Sequence, residues 1–459
     1  MSAWHLVGIG GAGMSVIAAL LAARGEQVSG SDARASASVE ALRARGVEVH
    51  VGHEAALVEA LPEGSRVVVS TAVRESNPEL AAARASGLEV LHRSRALAWL
   101  MEGHRVVAVA GAHGKTTTSA MLAVALREAG LDPSFAIGGS VMGGSDALSG
   151  GGAGSGDVFV AEADESDGSF LAYEPFVALV TNVEPDHLDH FGSREAFEQV
   201  FADFAARVRP DGALVVCADD EGARRLAERV RAEGRVKVLS YGTSADADLV
   251  LDPHTRLVRL PEELAGEGSP EVQLELAVPG AHNVLNATGA LAVLALLGVP
   301  PIEGARGLAA FHGTGRRFED RGSARGVRVV DDYAHHPTEV TALLRAARTV
   351  AGAGRVLVLF QPHLFSRTAH FQREFAEALS LADLAVVTEV YAAREDPVPG
   401  VSGETITRHL PSARFVADRL EAARTVAAEA REGDLVLTVG AGDVTELAPV
   451  VLAAIEERA

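Results

Sequence analysis

Short apolar runs alternate with amphipathic segments along nearly the whole chain. In the first hundred residues, strands are predicted in the segments WHLVGIG, EQVSGSD, VEVHVGH and SRVVVSTAV. Helices are predicted between them in MSVIAALLAARG, which ends at Gly25, and in SVEALRARG. Strands that alternate with helices in this way favour a parallel, doubly wound sheet.

The same alternation returns in two later stretches of the chain. After about residue 105, strands are predicted in DVFVAEA, FVALVTNV, GALVVCAD and VKVLSYG. A glycine- and serine-rich segment, Gly138–Gly156, interrupts this stretch and is predicted to form a mobile loop. From about Phe318, strands follow in VRVVDDYA, RVLVLFQPH, LAVVTEVYA, ARFVAD and DLVLTVGAG. Pro337 suits the first turn of a helix among them. The pattern therefore predicts three α/β domains.

Length and charge indicate a globular protein with more than one hydrophobic core and disfavour nonspecific binding to nucleic acid or membranes. The chain has 459 residues, which is too long for one ordinary hydrophobic core. Hydrophobic residues make up 48% of it and charged residues 22%, as in well-packed globular proteins. A formal net charge of -21 disfavours nonspecific binding to nucleic acid or to anionic membranes, but it leaves room for local basic pockets that hold phosphate. Neither nucleic acid nor a membrane is therefore expected as a partner.

Cysteine usage and apolar run lengths predict the compartment. Cys217 is the only cysteine, so an intrachain disulfide is impossible and a reducing cytoplasm is expected. No signal peptide is recognised before the first predicted strand. The longest apolar stretch, Ala287–Val299, is too short to span a bilayer. We expect a cytoplasmic protein.

The first glycine-rich turn is GIGGAGMS, which directly follows a predicted strand. Gly8, Gly10 and Gly13 form the pattern G-x-G-x-x-G, and Asp32 ends the next predicted strand. Such glycines let a pyrophosphate approach backbone N–H groups at a helix N-terminus, and the acidic residue can accept a hydrogen bond from a ribose hydroxyl. The motif predicts a nucleotide diphosphate site. A nicotinamide dehydrogenase, or a tight turn without a ligand, is the alternative.

A second turn, GAHGKTT, follows the apolar run VVAVA and precedes a predicted helix. Its backbone amides and Lys115 can hold β- and γ-phosphates, and the hydroxyl of Thr116 or Thr117 can face Mg²⁺. The full P-loop pattern is not met, because Val109 stands where its first glycine belongs. Lys115 and Lys237 are the only lysines among 41 basic residues, so a lysine inside this motif is notable. The alternative is a plain turn with an exposed lysine.

Two polar motifs, EADESDGSF and TNVEPDHLDHFG, each follow a predicted strand. Their side chains should lie at the carboxyl edge of a parallel sheet, where open α/β sheets bind ligands. The candidates for a Mg²⁺ site are Glu162, Glu165, Asp186 and His187. A transition-metal site made by His187, Asp189 and His190, or an ordinary polar loop, is the alternative.

Further polar loops lie towards the C-terminus. Asn283 and Asn286 are three residues apart at a predicted helix start, where they can contact a ligand or cap the helix. Arg316 or Arg317 can neutralise a transferring phosphoryl group. Two more loops follow strands and carry Asp332, Tyr333, His335, His336, His363, Ser366 and Arg367. Any one of these is compatible with an ordinary loop, but together they favour an active site.

In order along the chain, these motifs resemble those of the Mur ligases. The resemblance rests on GIGGAGMS, GAHGKTTT, EADESDGSF, TNVEPDHLDHFG, GAHNVLNATGA, GTGRRFE, DDYAHHPTE and QPHLFSRT, and it covers about residues 5 to 445. It implies three α/β domains: a Rossmann-like UDP-binding domain, residues 1–102; a central P-loop ATPase-type domain, residues 103–315; and a Rossmann-like C-terminal domain, residues 316–459, that binds the amino acid and closes over ATP.

Within the family, the motifs look most like those of the member that adds L-alanine. The implied reaction joins L-alanine to the lactyl carboxylate of UDP-N-acetylmuramate through an acyl phosphate, with ATP and Mg²⁺, in bacterial peptidoglycan synthesis. A monomer or a weak homodimer is expected. The alternatives are the muropeptide-recycling ligase, which adds a tripeptide to the same sugar nucleotide, and, from another class, an NAD-dependent dehydrogenase.

The resemblance also assigns residues. Lys115 matches the phosphate-loop lysine, Thr116 its metal-facing hydroxyl, and Glu162 with His187 the magnesium ligands. The implied catalytic residues are Lys115, Glu162, His187, Arg317 and Asp332. Further implied ATP contacts are Gly111, Ala112, His113, Gly114, Thr117, Asn283, Asn286 and His336. The implied UDP-substrate residues are Gly10, Gly11, Ala12, Gly13, Asp32, Ser70, Thr71, Glu165 and Ser166. His335, His363 and Arg367 match positions that bind a substrate carboxylate or phosphate.

Three departures from relatives bear on these roles. Ala112 stands where many relatives have threonine, with little expected loss because backbone amides hold the phosphate. Leu364 replaces an arginine present in some alanine-adding members, which puts one electrostatic contact in doubt. Several sister ligases bridge metal with a carbamylated lysine, but Lys237 lies in a predicted strand, so we expect a metal site without a carbamate.

Overall fold

The computed structural model describes residues 2–142, 150–184, 191–265, 269–393 and 395–458. Three separate β-sheets, each covered by helices, make up this part of the chain. The α/β class predicted from the sequence is confirmed. Within the described ranges, every helix is too short or too polar to cross a bilayer.

The first sheet is wholly parallel and has the strand order β3-β2-β1-β4-β5. Its strands are β1 (Trp4–Val7), β2 (Val28–Asp32), β3 (Glu48–Val51), β4 (Arg66–Val69) and β5 (Glu89–His92). The helices between and after them are α1 (Ala12–Ala23), α2 (Ala37–Ala44), α3 (Ala55–Glu59), α4 (Pro78–Ala85) and α5 (Arg93–Met101). Because β1 is central, the glycine-rich turn that follows it lies in the middle of the sheet's carboxyl edge.

The second sheet has ten strands in the order β15-β14-β13-β12-β11-β10-β6-β9-β7-β8. They are β6 (Arg105–Ala110), β7 (Ser134–Ala136), β8 (Gly151–Gly152), β9 (Val158–Glu162), β10 (Val177–Val180), β11 (Ala213–Cys217), β12 (Lys237–Gly242), β13 (Leu249–Leu251), β14 (Leu257–Arg259) and β15 (Glu271–Gln273). The helices are α6 (Lys115–Glu128), α7 (Arg194–Ala205), α8 (Glu221–Glu233), α9 (Glu262–Ala265), α10 (Ala281–Leu296) and α11 (Pro301–Ala309).

The strands β10, β6 and β9 are parallel neighbours at the centre of this sheet. Residues 106–110 of β6 and all of β10 are buried, because both faces of the sheet are covered. This double burial explains why their sequences are continuous apolar runs rather than alternating ones. The loops after these three strands therefore meet at one edge.

The glycine-rich segment contains a strand, so the prediction of a mobile loop is wrong for Gly151–Gly152. These residues form β8 and pair antiparallel with β7, and Ile137 N donates to Gly150 O at 2.6 Å. A Cβ at Gly154 or Gly156 would overlap the backbone of residues 131–133. Glycine is needed there for close backbone approach, not for looseness. Residues 143–149 of the segment lie outside the described residues.

The third sheet has the order β16-β17-β21-β18-β19-β20, parallel except for β16. Its strands are β16 (Glu319–Ala324), β17 (Val327–Asp332), β18 (Val356–Phe360), β19 (Leu384–Val387), β20 (Arg414–Phe415) and β21 (Leu435–Val439). The helices are α12 (Pro337–Ala351), α13 (Phe365–His370), α14 (Gln372–Leu379), α15 (Gly403–Thr407), α16 (Arg419–Glu429) and α17 (Ala448–Glu456). Pro337 begins α12, as the sequence predicts.

The chain divides into two compact units. The first comprises residues 1–276 and 285–312 and holds the first two sheets, which share one apolar core. The second comprises residues 277–284 and 313–459 and holds the third sheet, with apolar clusters on both faces. The boundaries predicted after residues 102 and 315 stay a prediction.

Candidate active site

The turn between β6 and α6 depends on two glycines. Gly111 has a φ of 134°, and a Cβ there would overlap the Thr181 hydroxyl oxygen and lie 3.0 Å from Asn182 N and O. Gly114 has a φ of 82°, and its Cβ would lie 2.9 Å from Asn286 Oδ1. Both the left-handed backbone and the close neighbours exclude a side chain.

The residues that follow β10 hold this turn in shape. The Thr181 hydroxyl donates to His113 O at 2.5 Å, and Asn182 Nδ2 donates to the same oxygen at 3.0 Å. Asn182 Oδ1 in turn accepts from His113 N at 3.0 Å. Sequence reasoning assigned no role to Thr181 or Asn182. The available signal was their position directly after an apolar strand, at the same edge as the turn.

The two glycine-rich turns both lead into helices without a side-chain cap. Gly114 precedes α6 and Gly11 precedes α1, and neither helix has an acidic residue in its first turn. By contrast, side chains of Ser193 and Asp220 cap the similarly long helices α7 and α8. Uncapped N-terminal amides and the helix dipole favour an anion at these two positions.

Lys115 is folded back onto its own turn. Its Nζ donates to Gly111 O at 2.5 Å, to Ala112 O at 3.2 Å and to Glu165 Oε1 at 3.0 Å. Burial works to lower the pKa of Lys115, but the carboxylates of Glu165, Asp164 and Glu162 raise it above its ordinary value. The ammonium is therefore retained as a partly buried positive charge inside the turn.

Glu165 lies beside this ammonium, although the sequence placed it and Ser166 among the UDP-substrate residues. It is 1% exposed, and burial raises its pKa to about 7 while the Lys115 ammonium opposes the shift. Ser166 N donates to Asp164 Oδ1 at 3.1 Å. The structure thus associates Glu165 with the second turn, and its assignment to the UDP-substrate set stays a prediction.

Glu162, at the end of β9, faces the first residues of α6. Its two carboxylate oxygens accept from Thr116 Oγ1 at 3.0 Å and from Gly138 N at 2.7 Å. A carboxylate and a hydroxyl are the hard oxygen donors that Mg²⁺ prefers, so this pair fits the predicted ion. The other predicted ligand, His187, and the candidates Asp186, Asp189 and His190 lie outside the described residues.

The turn after β1 is tied to the end of β2. Gly10 N donates to Asp32 Oδ2 at 2.9 Å, and the amides of Gly8 and Ile9 donate to Ser31 O. A Cβ at Gly10 would press against Asp32 and its neighbours. Ser70 and Thr71 follow β4, the parallel neighbour of β1, and so lie at the same edge as Gly11, Ala12 and Gly13. Asp32 therefore stabilises the turn, and its predicted contact with a ribose hydroxyl stays a prediction.

Arg93 lies against this first turn, which sequence reasoning missed. It begins α5, and a Cβ at Gly13 would lie 3.2 Å from Arg93 Nη1. Arg93 Nη2 pairs with Asp164 Oδ2 at 3.0 Å. Burial opposes ionisation of Asp164, but Lys115, Ser166 and Arg93 outweigh it and lower its pKa to about 2.

In the second unit, the arginine pair in GTGRRFE divides into two roles. Arg316 Nη2 donates to Gly440 O at 2.7 Å and its Nε pairs with the buried Asp331 at 3.3 Å, so Arg316 ties β17 to the loop after β21. Arg317 lies over the Tyr333 ring, 5.2 Å from its centroid, with Nη1 3.6 Å from Glu339 Oε1. The predicted contact of Arg317 with a phosphoryl group stays a prediction.

An aromatic and histidine cluster lies at the carboxyl edge of the third sheet. The His335 ring contacts His363 at 5.9 Å between centroids, and His363 stacks on Tyr391 at 5.8 Å. Burial lowers the pKa of His335 to about 3, outweighing the Glu339 carboxylate, and Arg367 acts in the same direction. Because His335 stays neutral, Arg367, itself 6% exposed, carries the positive charge suited to a carboxylate.

Two further predicted residues, and Leu364 where some relatives have arginine, have local structural roles. His336 is the N-cap of α12, accepts from Thr338 N at 3.4 Å, and forms a capping box with Glu339. Asn283 Nδ2 donates to Pro279 O at 2.6 Å. Leu364 is buried at a φ of 69°, a strained conformation of the kind that clusters at functional sites. The ligand roles predicted for His336 and Asn283 stay predictions.

Asp332 is a buried carboxyl at the end of β17. It accepts from Phe318 N at 2.7 Å and Ala334 N at 2.8 Å, and it is 7% exposed. Burial raises the pKa of Asp332 to about 6, against the lowering effects of Arg317 and the two amides. The folded protein therefore binds this proton more tightly than the unfolded chain does.

A pH dependence of stability follows from Asp332. The stabilisation from its proton is complete below the ordinary pKa of 3.8 and is lost as the pH rises through about 6. Relative to the parent, Asp332→Asn should gain about 2 kcal/mol of unfolding free energy between pH 4 and pH 7.5, in addition to a pH-independent change from the lost hydrogen bond. Urea unfolding of both proteins across this range measures the difference. A difference that does not change with pH would contradict the expectation.

Three family profiles match consecutive stretches of the chain. Residues 3–105 match the Mur ligase family catalytic domain, residues 109–294 the Mur ligase middle domain, and residues 316–442 the Mur ligase glutamate ligase domain. Together with the three sheets, these matches establish a three-domain α/β architecture.

Curated proteins and solved structures agree with the profiles. The chain is 57% identical to the UDP-N-acetylmuramate–L-alanine ligase of Kineococcus radiotolerans and 54% identical to that of Paenarthrobacter aurescens. The matches cover 99% and 98% of this chain, and 96% of each relative. The crystal structure of UDP-N-acetylmuramate-alanine ligase MurC from Thermotoga maritima superimposes with a TM-score of 0.78 at 30% identity, covering 99% of both chains. A murein peptide ligase from Psychrobacter arcticus gives a TM-score of 0.72 at 25% identity, covering 100% of both chains. The chain belongs to the Mur ligase family.

Proposed function

We propose that this chain is an ATP-dependent ligase that joins L-alanine to the lactyl carboxylate of UDP-N-acetylmuramate. The observation that carries the proposal is its 50–57% identity, over nearly the whole chain, to relatives that bear this ligase name. The partly buried ammonium of Lys115, in a turn at an uncapped helix N-terminus, supports ATP as the co-substrate.

The reaction has two steps. An oxygen of the lactyl carboxylate attacks the γ-phosphorus of ATP, so that an acyl phosphate forms and ADP leaves. The amine of L-alanine then attacks the acyl carbon, loses a proton, and displaces inorganic phosphate to give UDP-N-acetylmuramoyl-L-alanine. Both steps bring negative charges together, which fixed positive charges must offset.

The residues of the first unit divide between the two nucleotides. Lys115 and the amides of residues 111–117 hold the β- and γ-phosphates of ATP, and Asn286 packs against this turn. Glu162 and Thr116, together with His187, would hold Mg²⁺, which neutralises phosphate charge when bound. Residues 10–13, with Asp32, Ser70 and Thr71, form the UDP site at the edge of the first sheet.

The second unit contributes charge and carboxylate recognition. Arg317 offsets charge on the transferring phosphoryl group. Asp332 positions the backbone of Phe318 and Ala334 by accepting hydrogen bonds from their amides. Asn283 and His336 complete the predicted ATP contacts. Arg367, with neutral His335 and His363, binds the substrate carboxylate, and Leu364 contributes no charge to this recognition.

The tripeptide-adding alternative and the dehydrogenase alternative are not favoured. Relatives of the alanine-adding type reach 57% identity, whereas the murein peptide ligase structure is 25% identical. A dehydrogenase would leave Lys115 and the third sheet without a role. A cytoplasmic enzyme that acts as a monomer or a weak homodimer stays a prediction, and sedimentation of the purified chain checks its oligomeric state.

Product formation tests the proposed function. The purified chain is given ATP, Mg²⁺ and UDP-N-acetylmuramate, and ADP release is measured with L-alanine, with L-alanyl-γ-D-glutamyl-meso-diaminopimelate, and without an amine. We expect ADP release and inorganic phosphate only with L-alanine. NAD reduction with the same sugar nucleotide is the negative control. If ADP release does not depend on L-alanine, the proposed function is wrong.

A further inference from the structure

Two adjacent carboxylates in the turn after β9 hold the cations of two different phosphate sites. Glu165 Oε2 lies 2.9 Å from Lys115 Nζ, in the turn that leads into α6. Asp164 Oδ2 lies 3.0 Å from Arg93 Nη2, beside the turn that leads into α1. The strand order places β9 next to β6, so one short turn reaches both sites.

The position of Arg93 is unfavourable without an anion. It is the first residue of α5, and its guanidinium lies against the first turn of α1, near Gly13. A positive charge is disfavoured at a helix N-terminus, and the Arg93 guanidinium lies near the first turn of α1. Asp164 supplies the compensating charge, and a bound diphosphate at the first turn would supply it equally well. Because the Arg93 side chain remains 28% exposed, an incoming ligand can reach it.

Lys115 is in the same situation at the second turn. Two loop carbonyls and Glu165 use the three donors of its ammonium. A triphosphate that takes Lys115 must therefore replace Glu165, and Lys115 returns to Glu165 when the phosphates leave. A carboxylate next to an anion-binding site also repels the anion directly.

We propose that Asp164 and Glu165 are displaceable counter-anions: they keep Arg93 and Lys115 in position when phosphates are absent, and they weaken nucleotide binding enough to allow product release. The inference rests on the proposed function, in which these turns bind UDP-N-acetylmuramate and ATP. Both acids are positioning residues, since they act through the cations.

Two neutral, isosteric variants separate this role from a merely structural one. With ADP as the probe, Glu165→Gln should lower the Kd about tenfold, because the competing charge is gone while a hydrogen-bond acceptor remains. With UDP as the probe, Asp164→Asn should lower the Kd to a similar extent. Glu165→Gln should change the Kd for ADP more than the Kd for UDP, and Asp164→Asn should do the reverse. Glu165→Gln should also lower kcat, because ADP leaves more slowly.

Matched variants complete the experiment. Asp167→Asn removes a charge from the same loop, where Asp167 Oδ1 accepts from Ser169 N at 2.9 Å, and should change neither Kd. Glu165→Asp keeps the charge but moves it away from Lys115 by one methylene, so the Kd for ADP should fall by less than in Glu165→Gln. This variant tests the role even if Glu165→Gln does not fold. Calorimetric titration measures both nucleotides directly.

The outcomes distinguish the two proposals. Weaker or unchanged nucleotide binding in folded Glu165 and Asp164 variants overturns the counter-anion role, because loss of a structural residue does not tighten binding. The titrations do not depend on ligase turnover, so absence of alanine-dependent ADP release by the parent chain would overturn the proposed function instead.

Discussion

Replacing Lys115 by arginine is expected to lower ligase turnover by about 10²- to 10³-fold without unfolding the protein. The Lys115 ammonium is enclosed by Gly111 O, Ala112 O and Glu165 at 2.5–3.2 Å. A planar guanidinium is larger and presents its donors in a fixed fork, so it cannot occupy the same enclosed position. The charge is kept, but its location relative to the phosphates is lost.

The chain provides a matched control for this experiment. Lys237, its only other lysine, pairs with Glu263 at 2.8 Å and has a 40% exposed side chain. Lys237→Arg should leave kcat and thermal stability unchanged, because a surface pair tolerates the exchange. Initial rates of ADP release and melting temperatures are compared for both variants. Near-normal turnover of Lys115→Arg would show that a compact ammonium is not required there.

Gly111→Ala is expected to destabilise the first unit by about 3 kcal/mol and to abolish most nucleotide binding. The new methyl group would overlap the Thr181 hydroxyl and press on the Asn182 backbone, the two residues that hold His113 in place. Relief of this overlap requires the turn to move away from β10. The N-terminal amides of α6 would then no longer be directed at a phosphate.

Gly103→Ala separates the effect of crowding from that of backbone conformation. Gly103 also has a positive φ, of 82°, but nothing lies within 4 Å of its Cβ position. This control should cost only about 1 kcal/mol, the penalty of the left-handed backbone for a side chain. Urea unfolding and titration with ADP measure both variants. Equal losses in the two proteins would contradict the steric argument.

Much of the fold was predictable because its causes are local. The apolar runs of β6 and β10 predicted strands, and Pro337 correctly marked the start of α12. The turn at residues 111–116 was predictable for the same reason, since its glycines and lysine are adjacent in sequence. The glycine-rich segment was misjudged, because composition does not distinguish a loose loop from glycines that permit close backbone packing.

The partners of the site residues were much less predictable. Glu165 was predicted as a Mg²⁺ candidate and as a UDP-substrate residue, and its ion pair with Lys115 was not foreseen, because it depends on the turn after β9 lying beside the end of β6. Arg316 and Arg317 are equivalent in sequence, but only Arg316 is tied to Asp331 and the loop after β21. Arg93 carries no motif at all, and its position depends on how α5 packs beside α1.

The sequence by itself determined the alternation of strands and helices, the two glycine-rich turns and the family of this protein. Those features depend on periodicity and turn chemistry among near neighbours, which the order of residues encodes directly. Only the tertiary structure decided which carboxylate meets Lys115, that Arg316 pairs with Asp331, and that Asp164 and Glu165 pair with cations beside two different glycine-rich turns. These contacts depend on strand order, and β9 and β10 flank β6 only once the sheet has formed.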